Sequence, residues 1–304
     1  LFFKSNTYRL AMNPTSLTSL HRTPIATRID DVQQRIRRAP GDADLRAQLF
    51  QLLVVRGDWD RAVEQLRLSA KLNRQAVPTA MAYEQAIEAE RQREAVFAGT
   101  AEPTIFGDSP GWLEGLLLAL RSTAEPAEKL APLRASALDL APAVAGVLTH
   151  APDDTEAAFA WVTDGDSRLG PICEVFFNGR YGWVPFSALA TVRFIAPQGL
   201  CDLVWAQAEL TLLDGRVQQC LVPARYPAAP GRAHATDDDA IVLGRLTEWL
   251  PLHGETYAGI GQKMWLTDTG EYGLLDLREI RFDVVPDAPA GGDADAAHAT
   301  GQAG

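Results

Sequence analysis

The sequence predicts an α+β chain of two domains: an N-terminal tetratricopeptide-like helical domain, then a β-rich domain with several hairpins. Three observations carry this. Apolar residues recur at helical spacing from about Ile25 to Pro142. Short apolar runs separated by turn signals dominate from about Phe159 to Asp283. Five of the seven tryptophans (Trp161, Trp183, Trp205, Trp249 and Trp265) fall in that second stretch, as β-rich cores favour. At 304 residues, 47% hydrophobic and 22% charged, the chain can build such cores without disulfide or metal staples.

Taken in order, residues 1–24 carry basic side chains, Ser and Thr but no acid. That composition resembles a mitochondrial transit peptide, and the plainer reading is a start at Met12. The helical domain is expected over residues 25–150. Leu45, Leu49, Leu52 and Leu53 form one apolar stripe, and Trp59, Ala62, Val63, Leu66 and Ala70 form the next. Between them Gly57 suits a helix C-terminus and Asp58 an N-cap, so the two helices pack antiparallel. Leu49, Leu53, Gly57, Trp59, Ala62 and Leu66 match tetratricopeptide spacing, and Trp112 to Pro142 is a second, poorer candidate. A plain antiparallel bundle is the other reading.

A domain boundary is expected near His150 to Thr155, with the β-rich domain over residues 155–284. Asn178-Gly179 and Asp214-Gly215 mark two hairpins, and Gly270 a third. Asp237 to Leu246 reads as one short, acid-capped helix. Residues 285–304 are Ala, Gly, Asp and Pro with little to bury, and read as a disordered tail.

Chemistry is sparse. Residues 1–150 hold 18 basic and 17 acidic side chains, and residues 151–304 hold 10 and 22, so the acidic second half is a poor nucleic-acid binder. No apolar run reaches a membrane span. Cys173, Cys201 and Cys220 have neither pairing nor zinc spacing and read as core residues. No phosphate loop, nucleophile elbow or dinucleotide fingerprint is present, and no cofactor is expected. Asp164 and Asp166 fit a calcium loop, but Arg168 and Leu169 break it. Arg168 is then expected to pair with one of these acids or with Glu174. Arg225 reads either as an anion-binding corner or as packed on the ring of Tyr226.

The order of certain segments resembles the ImpE/TagJ (SciE-type) family of type VI secretion accessory proteins. The segments include Leu49 to Leu53, Gly57-Asp58-Trp59, Phe106-Gly107, Asp166-Ser167-Arg168-Leu169-Gly170-Pro171, Asn178-Gly179-Arg180-Tyr181, Trp183, Asp202 to Trp205 and Thr247-Glu248-Trp249. Gly182 stands where an aromatic residue is expected. The resemblance implies a non-enzymatic, cytoplasmic bacterial adaptor. It implies binding to the N-terminal helix of the small sheath subunit and assistance to the ClpV unfoldase. Helical spacing offers Gln48, Gln51, Tyr83, Ile87 and Arg91 as residues of a peptide groove, with Tyr83 and Ile87 equally readable as core. Two other readings stand beside it: a hydrolase or transferase using Asp164 and Asp166, and a structural scaffold that forms a homo-oligomer.

Overall fold

The computed structural model describes residues 23–122, 125–151, 153–227, 238–254 and 256–283. The N-terminal extension up to Arg22, the tail after Asp283 and Asp237 lie outside these residues. Among the described residues the chain is α+β, with helices first and a large sheet after.

The first helices are α1 (Ile25–Arg38), α2 (Ala43–Arg56), α3 (Trp59–Leu72) and α4 (Val77–Phe97). Asp42 caps α2 by accepting from the backbone N–H groups of Asp44 and Leu45 at 2.9 and 3.1 Å. Gly57 ends α2 in the left-handed region (φ 73°). Its N–H and that of Asp58 return to Val54 and Leu53, a Schellman closure. Asp58 opens α3, but its carboxylate pairs with Arg61 instead of capping the helix. The expected single stripe on α2 is too narrow. Ala47, Phe50, Gln51, Val54 and Val55 are buried as well, because α1, α3 and the 3-10 turn Leu200–Leu203 surround it. A second antiparallel pair follows, α5 (Trp112–Arg121) and α6 (Ala127–Leu140), with Gly115 close against Ala137.

The sheet strands are β1 (Thr104–Ile105), β2 (Gly146–His150), β3 (Thr155–Phe159), β5 (Ile172–Phe177), β6 (Arg180–Pro185), β7 (Leu189–Phe194), β8 (Trp205–Leu212), β9 (Val217–Pro223) and β14 (Leu277–Phe282). Their order is β1-β6-β5-β9-β8-β7-β14-β2-β3. Strands β1 and β2 thus belong to the sheet although they precede the boundary expected near His150 to Thr155. A smaller sheet, β13-β12-β4, joins β4 (Val162–Asp164), β12 (Met264–Thr267) and β13 (Glu271–Gly273).

All three expected hairpins form. Asn178 (φ 51°) and Gly179 (φ 74°) make the two-residue turn between β5 and β6. Asp214-Gly215 joins β8 to β9, and Gly270 lies between β12 and β13. A fourth ribbon, β10 (Thr247–His253) with β11 (Thr256–Gly261), has no sequence forewarning because Pro251 argues against a strand. The helix expected from Asp237 to Leu246 is only one turn, α7 (Asp239–Val242), capped by Asp238.

Two cores result. On β5 the side chains alternate, with Ile172 and Phe176 toward the helices and Cys173 and Val175 into the second core. The second core lies on the face of the sheet away from the helices, where Phe186 stacks on Phe282 at 5.7 Å and meets Trp265 at 4.9 Å. The outer face of the sheet carries an ion-pair ladder, Glu209–Arg193–Glu279–Arg281–Glu156. Gly182 is explained here: β1 runs alongside it, and the ring of Phe106 fills the space an aromatic side chain at 182 would take.

Candidate functional site

A charge on a strand buried on both faces has to be neutralised, since an unpaired buried ion costs several kcal/mol. Glu174 is that charge on β5, and it is 1% exposed. Helix α4 supplies Arg93, whose Nε and Nη2 donate to the two Glu174 oxygens at 2.7 and 3.0 Å. Lys263, between β11 and β12, donates to Glu174 at 2.6 Å and to Asp164 at 2.7 Å. The Tyr181 hydroxyl donates to Glu174 at 2.6 Å and accepts from the indole N–H of Trp183. Glu90, one turn before Arg93, accepts from Arg93 at 2.9 Å and from the Trp205 indole at 2.8 Å.

These bonds set the electrostatics. Burial alone would raise the Glu174 carboxyl, but Arg93 and Lys263 pull it well below the usual range. Burial dominates at Asp164 and lifts it to about 6, against the pull of Lys263. Burial also pushes the Tyr181 hydroxyl up, with Glu174 adding to it.

The segment from Asp164 to Pro171 anchors the ribbon. Asp166 is fully buried and takes Arg168 through Nε at 2.9 Å and Nη2 at 2.5 Å, the pairing expected from sequence. Its second oxygen also accepts the Gly259 N–H of β11 at 3.1 Å. Ser167 exchanges bonds with Tyr257 through its own N–H and its hydroxyl, at 2.9 and 3.0 Å. Gly170 turns the chain in the left-handed region (φ 64°) against Leu138 of α6, and the Pro171 carbonyl accepts from Phe186. Both aspartates on which a hydrolase or transferase reading rests are buried and bonded, Asp164 to Lys263 and Asp166 to Arg168.

The remaining motif residues meet the same junction. Trp59 stacks on Trp205 with centroids 5.7 Å apart, and its indole donates to Glu94 at 2.6 Å. The Asn178-Gly179 turn lies on α4, where Gln92 bonds the Gly179 carbonyl and the Tyr181 N–H. Arg225 does not pack on Tyr226. It donates to the carbonyls of Val55 and Val242 near the ends of α2 and α7, and Lys263 sits over the Tyr226 ring at 4.8 Å.

The peptide groove fares differently. Ile87 (1% exposed) and Gln51 (4%) are buried, and Tyr83 packs against Phe50 and Trp205. The inner face of α2 and α4 is covered by the chain's own residues from Leu200 to Trp205 and by β5 and β6. Tyr83 and Gln48, the latter near Arg35, are half-buried, and Arg91, paired with Asp60, is exposed. Sequence reasoning missed Arg93, Glu90 and Lys263. The available signal was Glu174 itself, a lone charge in Ile-Cys-Glu-Val-Phe-Phe.

The described residues contain no His, Cys, Asp or Glu group able to hold a metal ion and no helix able to cross a membrane. The ionised groups of the junction bond one another, and this is the arrangement of a scaffold that fixes helices on a sheet. The ImpE protein family model matches residues 156–281, from β3 into β14. The type VI secretion system accessory component TagJ of Pseudomonas aeruginosa is 44% identical over 263 residues, covering 85% of this chain and 89% of that protein. The crystal structure of protein VPA1032 from Vibrio parahaemolyticus superposes with a TM-score of 0.74 at 26% identity, covering 88% of this chain and 96% of that one. The chain belongs to the ImpE/TagJ family of type VI secretion accessory proteins.

Proposed function

We propose that the protein is a non-enzymatic, cytoplasmic adaptor of the type VI secretion machine. In this reading it holds the N-terminal helix of the small sheath subunit and assists the ClpV unfoldase in recycling contracted sheath. The observation that carries it is the 44% identity to TagJ along most of both chains. The burial of Asp164 and Asp166 supports a non-catalytic role.

Because the inner face is filled by the chain itself, we place the docking helix on outward surfaces of the helical half. Gln48 and Arg91 stay in that proposal, and Gln51, Tyr83 and Ile87 leave it. The test is calorimetric titration with a synthetic peptide of the sheath subunit's N-terminal helix. Saturable binding at micromolar affinity or tighter is expected, weakened at least about fivefold by Arg91→Glu, an effect on the order of 1 kcal/mol. No heat, together with no retention of intact sheath in a pull-down, refutes the adaptor role. Full binding by a double variant carrying Gln48→Glu and Arg91→Glu refutes the surface alone.

A further inference from the structure

Helices α3 and α4 each turn one row of side chains outward. On α3 the row is Asp60, Glu64, Arg67 and Lys71, at i, i+4, i+7 and i+11, all exposed. On α4 it is Val77, Met81, Glu84, Glu88 and Arg91, opposite the buried side that carries Ile87, Glu90 and Arg93. Two ion pairs join the rows, Asp60–Arg91 at 2.5 Å and Arg67–Glu84 at 3.0 Å. They lie seven residues apart on both helices, so the antiparallel register is constant along the seam. The next turn of each helix then sets Lys71 opposite Met81. Arg74 follows in the connecting turn, just before Val77.

The seam is unbalanced at two levels. Where a carboxylate is due to face Lys71, the row on α4 carries an apolar side chain, with Met81 59% and Val77 39% exposed. No Asp or Glu occurs between Glu64 and Glu84, although acids outnumber bases in the chain as a whole. Lys71 and Arg74 make no ion pair among the described residues. Between the two pairs, Glu64 and Glu88 share one level of the seam, both exposed and neither in an ion pair among the described residues. Facing carboxylates repel and an exposed Met buries little, so neither feature serves the fold.

We infer that this seam docks an amphipathic helix of a partner protein. That helix supplies carboxylates to Lys71 and Arg74 and an apolar side chain to Val77 and Met81. It carries a cation about two turns further along, over Glu64 and Glu88. The surface rests on the reading of the protein as an adaptor for a partner helix, whichever component carries that helix.

The test places a photo-crosslinking amino acid at position 81 of the full chain, in cells that build the secretion machine. Position 217, an exposed site on β9, is the control. An adduct is expected at 81 and not at 217, with a cross-linked segment that carries acid, apolar residue and base at the stated spacing. Lys71→Glu with Arg74→Glu should lower its yield at least about fivefold, and reversing the partner's acids to Lys should restore it. Both sites are exposed, so that variant should melt within about 2 °C of the parent. No adduct at 81, or one only with lipid, with a second copy or with a segment lacking this pattern, overturns the surface. If intact sheath is still retained in a pull-down, the adaptor reading survives that failure. A patterned adduct from a protein other than the sheath subunit upholds the surface and overturns the choice of sheath as partner.

Discussion

Replacing Glu174 with Gln tests the central claim, that the helical layer is held on the sheet by one buried ionic hub. The substitution keeps shape and removes one charge. Glu174 accepts two bonds from Arg93, one from Lys263 and one from Tyr181. After the change both cations stay buried, with Glu90 and Asp164 as their only carboxylates. Breaking a buried pair in this way costs about 3–5 kcal/mol. A domain of this size loses about 2–4 °C of melting temperature per kcal/mol, so a fall of about 6–20 °C is expected. Glu156→Gln is the control, since its pair with Arg281 is more than half exposed and worth below about 1 kcal/mol. Calorimetric scans at pH 7 decide it. If Glu174→Gln melts within about 2 °C of the parent, the hub does not hold the layers together and the reasoning fails.

Asp164 gives a pH dependence of opposite sign to Glu174. Its carboxyl is raised to about 6 from 3.8, so its contribution to stability is present below pH 3.8 and is lost as pH rises through 6. The Glu174 contribution is present above its ordinary 4.5 and is lost as pH falls toward its depressed value. Denaturant titrations between pH 4 and 7 should therefore show the parent losing stability relative to Asp164→Asn as pH rises, and a parallel pair of curves would refute it. Gly165→Ala places a methyl group against the outer edge of the Trp249 indole, so that side chain must shift, at about 1–3 kcal/mol and with a change in tryptophan emission. An unshifted spectrum would show that Trp249 does not lean on Gly165. Cys173, Cys201 and Cys220 are buried with their thiols pushed up, so a thiol reagent should label them at the rate of unfolding. Rapid labelling of the native protein would contradict that burial.

What the sequence discloses follows the range of the forces involved. Local signals read correctly: Gly57 at a helix end, Asn178-Gly179 in a two-residue turn, Asp166 beside Arg168. Non-local pairing did not. Glu90 and Arg93 are spaced like any solvent-facing pair on a helix, and only the arrival of β5, 81 residues further on, turns them into a buried site. Helix α2 reads as amphipathic, since nothing local tells that residues 200–205 cover its remaining face. Gln51 and Ile87, offered as groove residues, are buried for the same reason. Helical spacing identifies the inner face of a helix pair but not what lies on it.

The segments that carry the family resemblance are far apart in sequence and meet in one place. Trp59, Asp166, Ser167, Arg168, Gly170, Pro171, Asn178, Gly179, Trp183 and Trp205 either border the Glu174 hub or anchor the ribbon beside it. Most of them are covered, so they specify how the layers register and not what the protein touches. Contact with a secretion partner has to come from residues outside that set. Besides the ion-pair ladder on the outer face of the sheet, two kinds of surface lie outside it. The outward faces of α1, α3 and α4 are charged and include Arg35, Asp60 and Arg91. The ribbon exposes Trp249 (37%) and Tyr257 (41%). It is fastened along β11 by Asp166 and Ser167, while Pro251 and the irregularity between Pro251 and His253 blunt the edge of β10 against strand addition. A ribbon anchored on one edge and blunted on the other can offer side chains to a partner while resisting backbone pairing. A partner at the ribbon would therefore be recognised through Trp249 and Tyr257, and one at the helices through charge. Salt separates the two, because screening weakens the second far more than the first.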